Sequence, residues 1–236
     1  MNASSRIGAF FDLDGTLIAA PSLEWRFFAH LLARDEISCA NLGRWLKQFI
    51  KMILSDRFAA IEGNKLYLAS LRESLAVEWV GAEMVLPFID GLERLAWHHT
   101  QGHRVFLVSG TLAPIARAMA QHFPCPVEMV ASELEIFEGH WTGFLVDEHM
   151  SGNAKACALR ALTARYGLDL SQCYAYGNDT ADLPMLEAVG NPVAVNPSSL
   201  LARLARTRGW CICRWHMSQI SSQAASTNLP TPMEAQ

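Results

Sequence analysis

F-F-D-L-D-G-T-L, residues 10–17, is the stretch on which the fold turns. The run R-I-G-A-F-F (6–11) is short and apolar and stops abruptly at Asp12, the pattern of a buried parallel strand. Two aspartates follow two positions apart, and Gly15 and Thr16 then turn the chain. In an open α/β sheet the ligand site lies beyond the carboxyl ends of the strands, which is where Asp12 and Asp14 fall. Two carboxylates this close repel at neutral pH unless a cation or a proton intervenes. Oxygen ligands with an open side suit Mg2+. A solvated turn would also account for D-x-D-G. A calcium EF-hand loop would not. It needs Gly at its sixth place and Glu at its twelfth, and counting from Asp12 these hold Leu17 and Leu23.

Downstream of this strand the character changes. From about 20 to 85 strong strand runs are absent and apolar residues recur at helical spacing, as in Leu42, Trp45, Leu46, Phe49, Ile50 and Ile53. Eight Lys/Arg and eight Asp/Glu leave this segment neutral, and it reads as an all-helical insertion. After Pro87 strands and helices alternate. Helices are expected over Phe88–Gly102, Ala118–His122, Asn153–Tyr166, Ala181–Val189 and Ser198–Thr207. Strands are expected at 104–108, 127–130, 173–176, 192–195 and 211–215, with a hairpin between Glu133 and Val146. Such alternation predicts an α/β fold, a parallel sheet with helices on both faces.

Three further stretches carry chemistry. V-F-L-V-S-G-T (105–111) ends a strand in Ser109, and Gly110 and Thr111 follow. A hydroxyl and exposed N–H groups there would cradle an anion such as phosphate. A plain helix N-cap explains the same residues. Lys155 lies near a helix start, where a cation is disfavoured unless it serves a nearby anion; an exposed surface lysine is the alternative. Y-G-N-D-T-A-D-L-P-M-L (176–186) again follows a strand and puts Asn178, Asp179 and Asp182 in its turn. These could complete a site begun by Asp12 and Asp14, or could simply cap a helix.

Taken in order, D-L-D-G-T-L, S-G-T, the lysine and G-N-D-x-x-D-L-P-M-L resemble the four motifs of the haloacid dehalogenase-like phosphohydrolases. The C-terminal half, with G-N-P-V-A-V-N-P and R-G-W, is similar to the phosphoserine-phosphatase-like subfamily, subclass IB. The resemblance implies a Rossmann-like doubly wound sheet over 1–19 and 86–216, with a C1-type helical cap at 20–85. It implies a phosphomonoesterase working through an aspartyl-phosphate on a small phosphorylated metabolite. Asp12 would be the nucleophile and Asp14 the acid and base. Lys155 would neutralise phosphoryl charge, and Ser109 and Gly110 would bind phosphate. Mg2+ would be held by Asp12, the Asp14 carbonyl and the fourth motif (Asn178, Asp179, Asp182). An alcohol acceptor would make the enzyme a phosphotransferase, and a catalytically weak phosphate-binding regulator is the alternative outside catalysis.

Two departures matter. The family usually has Asp where Asn178 stands, so Asn178 and Asp179 compete for one metal place. Phosphoserine phosphatases carry a Glu about nine residues after the nucleophile; Pro21 stands here, with Glu24 nearly one helical turn later. Weak preference for phosphoserine is therefore expected. Arg57 and Arg72 could meet a substrate carboxylate. Arg44, Lys47, Lys51 and Arg57 make a mildly basic helix that reads as a solvated face or as one lying on a membrane surface. His98, His99 and His103 gather near a helix end and read as structural residues favoured by the dipole there.

Composition narrows the rest. With 236 residues, 51% hydrophobic and 18% charged, the chain can bury a sizeable core, which excludes a disordered protein. A net charge of −4 excludes a dominant nucleic-acid face. No apolar run approaches the ~20 residues of a membrane span, and the N-terminus lacks the apolar region of a signal peptide. Six cysteines without a C-x-x-C pair read as free thiols in a cytoplasmic protein. The tail, 217–236, has the composition of a disordered segment.

Overall fold

The computed structural model describes residues 6–54, 63–83 and 85–217. The tail from 218 and Arg57 lie outside the described residues. Six parallel strands form the main sheet: β1 (Gly8–Phe11), β2 (Arg104–Leu112), β3 (Glu128–Ser132), β6 (Tyr174–Gly177), β7 (Asn191–Val195) and β8 (Cys211–Cys213). Their order is β3-β2-β1-β6-β7-β8. The chain winds outward from β1 to one edge, then crosses back to β6 and winds to the other. The winding reverses between β1 and β6, the place where ligands bind in doubly wound sheets.

The two phenylalanines of β1 show how the sheet is covered. Successive strand residues point to opposite faces. Phe10 stacks on Phe106 with centroids 4.8 Å apart, and Phe11 stacks on Tyr176 at 4.3 Å. On the Phe10 face the core is closed by α6 (Asn153–Tyr166), α7 (Leu183–Leu186) and α8 (Ser199–Arg208), through Leu159, Met185 and Leu201. On the Phe11 face it is closed by α4 (Ile89–Thr100) and α5 (Ala113–Ala120), through Leu95, Ile115 and Met119. Both rings are fully buried, so truncating either to Ala would cost about 3–5 kcal/mol.

The segment between β1 and α4 holds α1 (Leu23–Ala33), α2 (Cys39–Leu54), a 3₁₀ turn (Leu66–Leu68) and α3 (Ser74–Ala82). The hairpin of β4 (Leu134–Phe137) and β5 (His140–Leu145) packs with this segment, although the sequence pattern groups it with the sheet. Ser70 N–H donates to Trp141 O and Trp141 N–H donates to Leu71 O, at 2.8 and 2.9 Å. Gly143 (φ +85°) allows this approach, since a Cβ there would lie 2.9 Å from Leu66 Cα. The helical segment is thus held from two sides.

Several elements differ from the sequence expectation. The helix expected over Ala181–Val189 is a 3₁₀ turn at Thr180–Asp182 followed by one turn of α helix. Pro184 sits in its first turn, and the Asp182 carboxylate turns back to the N–H groups of Asn178 and Asp179. β2 runs on past Ser109 to Leu112, and α5 follows directly from Ala113 to Ala120. Ser109 is therefore no N-cap. All six cysteines are free thiols. Among the described residues no helix is long and apolar enough to cross a membrane.

Candidate active site

Asp12, Asp14, Ser109, Gly110, Lys155, Asn178, Asp179 and Asp182 all line one cavity of about 530 Å3 at the carboxyl ends of β1, β2 and β6. The topology explains the convergence. Asp12 is the first residue after β1, Ser109 and Gly110 lie near the end of β2, and Asn178 follows β6.

Asp12 and Lys155 are buried together. Lys155 Nζ donates to Asp12 Oδ1 and to Asp182 Oδ1, both at 2.6 Å. Lys155 thus serves two anions and is no surface lysine. Burial works against its charge, but the two carboxylates more than offset this and hold its pKa above the usual lysine value. Thr16 Oγ1 donates to the other Asp12 oxygen at 2.9 Å. Burial and the Asp182 carboxylate push Asp12 up to about 7 against the pull of Lys155.

Asp14 is positioned by two donors. Leu23 N–H, the first of α1, reaches Oδ1 at 2.7 Å, and Thr111 Oγ1 reaches Oδ2 at 2.5 Å. An orphan N–H at a helix N-terminus favours an anion, so Asp14 also anchors the start of the helical segment. Burial raises the Asp14 pKa, and the two hydrogen bonds partly offset it. A raised pKa suits a general acid near neutral pH. Thr111 in turn takes a hydrogen bond from Ser109 Oγ at 3.0 Å and donates its N–H to that oxygen at 3.1 Å. Ser109, Thr111 and Asp14 form one chain of hydrogen bonds.

Asn178 and Asp179 are used differently. Gly15 (φ +83°) lets the Asn178 amide lie directly on the backbone, since a Cβ at Gly15 would meet Asn178 Nδ2 at 2.0 Å. Asn178 Oδ1 is 3.4 Å from Thr16 Oγ1, which is bonded to Asp12. The Asp179 carboxylate is turned to Thr180 Oγ1 and to the Asp182 N–H in a capping box.

The opposite wall comes from the helical segment. Glu24 Oε1 accepts from Lys65 Nζ at 2.5 Å and from Tyr67 OH at 2.8 Å, and all three line the cavity. Trp25, Phe28 and Trp45 complete this wall. His149 lies against Gly110, where a Cβ would be 2.9 Å from its Nε2, and its Nδ1 is 3.1 Å from Ser132 Oγ. Lys65, Tyr67 and His149 carried no motif signal, and Thr111 stood in the S-G-T motif without a role of its own. Arg72 lies outside the lining.

Among the described residues no three His, Cys, Asp or Glu side chains gather as a metal site. The oxygen donors at the strand ends include the carboxylates of Asp12 and Asp182 and the amide oxygen of Asn178. All are hard oxygens, the donor chemistry Mg2+ takes.

The haloacid dehalogenase-like hydrolase family model matches residues 9–187, and the chain belongs to that family. It is 34% identical over 227 residues to the "Inhibition of morphological differentiation protein" of Streptomyces azureus, covering 89% of this chain and 79% of that protein. It is 31% identical over 240 residues to phosphoserine phosphatase SerB1 of Mycobacterium tuberculosis, covering 95% and 75%. Its fold is shared with a phosphoserine phosphatase solved as an analogue of its phospho-aspartyl intermediate. The TM-score there is 0.63 at 17% identity, over 94% of this chain and 99% of that one. The chain is an enzyme of the phosphatase type, phosphoserine-phosphatase-like within its family.

Proposed function

We propose that this chain hydrolyses small phosphomonoesters through an aspartyl-phosphate on Asp12, with Mg2+ as cofactor. The observation that carries the reading is the pairing of two differently held carboxylates in one cavity. Asp12 is held by a buried lysine, and Asp14 is held by Thr111 and a helix N–H. A group tied to a fixed cation can attack, and a group with a raised pKa can carry the proton.

An Asp12 carboxylate oxygen attacks phosphorus and the bond to the leaving oxygen breaks. Asp14 gives its proton to that oxygen. Asp14 then takes a proton from water as the water attacks phosphorus, the Asp12–phosphorus bond breaks, and inorganic phosphate leaves. Lys155 stabilises charge on the phosphoryl oxygens, and Ser109 with the Gly110 N–H orients them. Asp12, Asn178, Asp182 and the Asp14 carbonyl would hold Mg2+, with Asp179 kept for the capping box. The ion when bound supplies further neutralisation of phosphoryl charge. The helical segment 20–85 acts as a cap that excludes water and contacts the rest of the substrate.

The test is Asp12→Asn, assayed for phosphate release from p-nitrophenyl phosphate with Mg2+. Turnover should vanish while the circular dichroism spectrum stays unchanged. Residual turnover within tenfold of the parent enzyme would remove Asp12 as nucleophile.

A further inference from the structure

Helix α2 presents more apolar surface than the fold uses. At 100° per residue, Leu42, Trp45, Phe49 and Met52 form one stripe, and all four are partly buried. Leu46, Ile50, Ile53 and Leu54 form a second stripe beside it. These are 47%, 48%, 38% and 81% exposed. Single exposed apolar residues are ordinary, but four along one helix flank are a surface awaiting contact. Arg44, Lys47 and Lys51 line the next flank, and all three are exposed. Cys39–Leu54 contains no Asp or Glu, in a chain whose net charge is −4.

An apolar arc bordered by a wholly basic one is the signature of a helix that lies in a membrane interface. We propose that α2 docks this enzyme on an anionic lipid surface, with Leu46, Ile50, Ile53 and Leu54 entering the headgroup boundary and the basic flank meeting lipid phosphates. Charge complementarity selects this occupant. A second copy of α2 packed on the stripe by a two-fold axis would bring the two basic flanks together when antiparallel, and in either sense it offers them no carboxylate, since Cys39–Leu54 has none. Trp45 on the same helix lines the active-site cavity, so docking would hold the cavity wall beside the headgroups. The inference is independent of the hydrolytic mechanism.

The experiment is co-sedimentation of the full chain with extruded vesicles. One set is phosphatidylcholine alone, and the other is phosphatidylcholine with an equal part of phosphatidylglycerol. Binding should require phosphatidylglycerol and weaken as salt is added. Ile50→Gln combined with Leu54→Gln should lower the partition coefficient by about tenfold or more, with turnover of p-nitrophenyl phosphate unchanged. Lys47→Gln should lower it about fivefold, the effect of ~1 kcal/mol per basic residue at an anionic surface. The proposal is overturned by no binding to anionic vesicles at low salt, or by equal binding to both sets. It is also overturned by unchanged binding of the double variant, or by self-association that the double variant abolishes.

Discussion

The ammonium of Lys155 lies 2.6 Å from Asp12 Oδ1 in a setting where both side chains are buried, and it bridges to Asp182 at the same distance. Removing one partner of a buried ion pair leaves charge uncompensated and typically costs about 3–5 kcal/mol. Lys155→Met should therefore lose stability by that order in urea unfolding and lose turnover by at least about a thousandfold. Mg2+ should raise the melting temperature of this variant more than that of the parent, since a divalent cation can replace the missing charge between two carboxylates. Equal shifts in both proteins would count against Asp12 and Asp182 as a shared cation site.

Thr111 acts through Asp14, 97 residues away in sequence. Thr111→Val keeps the shape and removes the hydroxyl that orients the carboxylate. The expected result is a fall in kcat of about tenfold to a hundredfold with little change in KM, because the lost contact is to a proton-carrying group. Thr111→Ser should restore most of kcat. Failure of the serine to rescue would show that the methyl group, not the hydrogen bond, is what matters.

Metal dependence follows from the donor set. EDTA should abolish turnover and Mg2+ should restore it. Ca2+ should restore it poorly, because its larger and looser coordination would misplace the oxygens around Asp12. Full turnover in chelator would refute a metal held by Asp12, Asn178 and Asp182.

His98 was legible as a structural residue, but for another reason than the helix dipole. It is fully buried, with Nε2 2.8 Å from Tyr176 OH and Nδ1 2.8 Å from His103 Nδ1. Burial, then the neighbouring His103 and Arg94, push its pKa down to about 3. The unfolded chain takes up this proton near pH 6.5. Stability from the neutral ring is thus complete above about pH 6.5 and is lost as pH falls toward 3. His98→Gln should be less stable than the parent at pH 7.5, and the gap should narrow by about 2 kcal/mol at pH 5. Urea midpoints at the two pH values decide this, and a gap that stays constant would mean that folding leaves the His98 pKa unshifted.

The parts of the site legible in the sequence are those whose position is set by a strand end. Asp12 after G-A-F-F, Ser109 near the end of β2 and Asn178 after β6 are local patterns, and a parallel sheet brings them together whatever the rest of the chain does. Lys155 was legible only through the order of the motifs, since a cation near a helix N-terminus could equally have been a surface lysine. What stayed hidden depends on tertiary contact. Lys65 and Tyr67 meet Glu24 across 41 and 43 residues, and only the fold of the helical segment closes that distance. The expected helix over Ala181–Val189 is shortened to Leu183–Leu186, because the Asp182 carboxylate is spent on the turn before it.

That hidden contact bears on the substrate. Glu24 is the acidic residue nearest the place where phosphoserine phosphatases meet the substrate amine. Its Oε1 already accepts from the Lys65 ammonium and from Tyr67. A second ammonium, from phosphoserine, would have to share this carboxylate with a buried resident cation, at a cost in repulsion that other phosphomonoesters do not bear. The chain should therefore show no marked preference for phosphoserine across a panel of phosphorylated metabolites. A hundredfold preference in kcat/KM, roughly 2.7 kcal/mol of differential transition-state binding, would overturn this. Lys65→Met sharpens the test. It takes the resident cation away from Glu24, so kcat/KM for phosphoserine should rise relative to β-glycerophosphate, even though an unpaired carboxylate lowers the stability of the variant. If the ratio of the two substrates does not move, Glu24 is a structural part of the wall and the leaving group is read by Trp25, Phe28 and Trp45 instead.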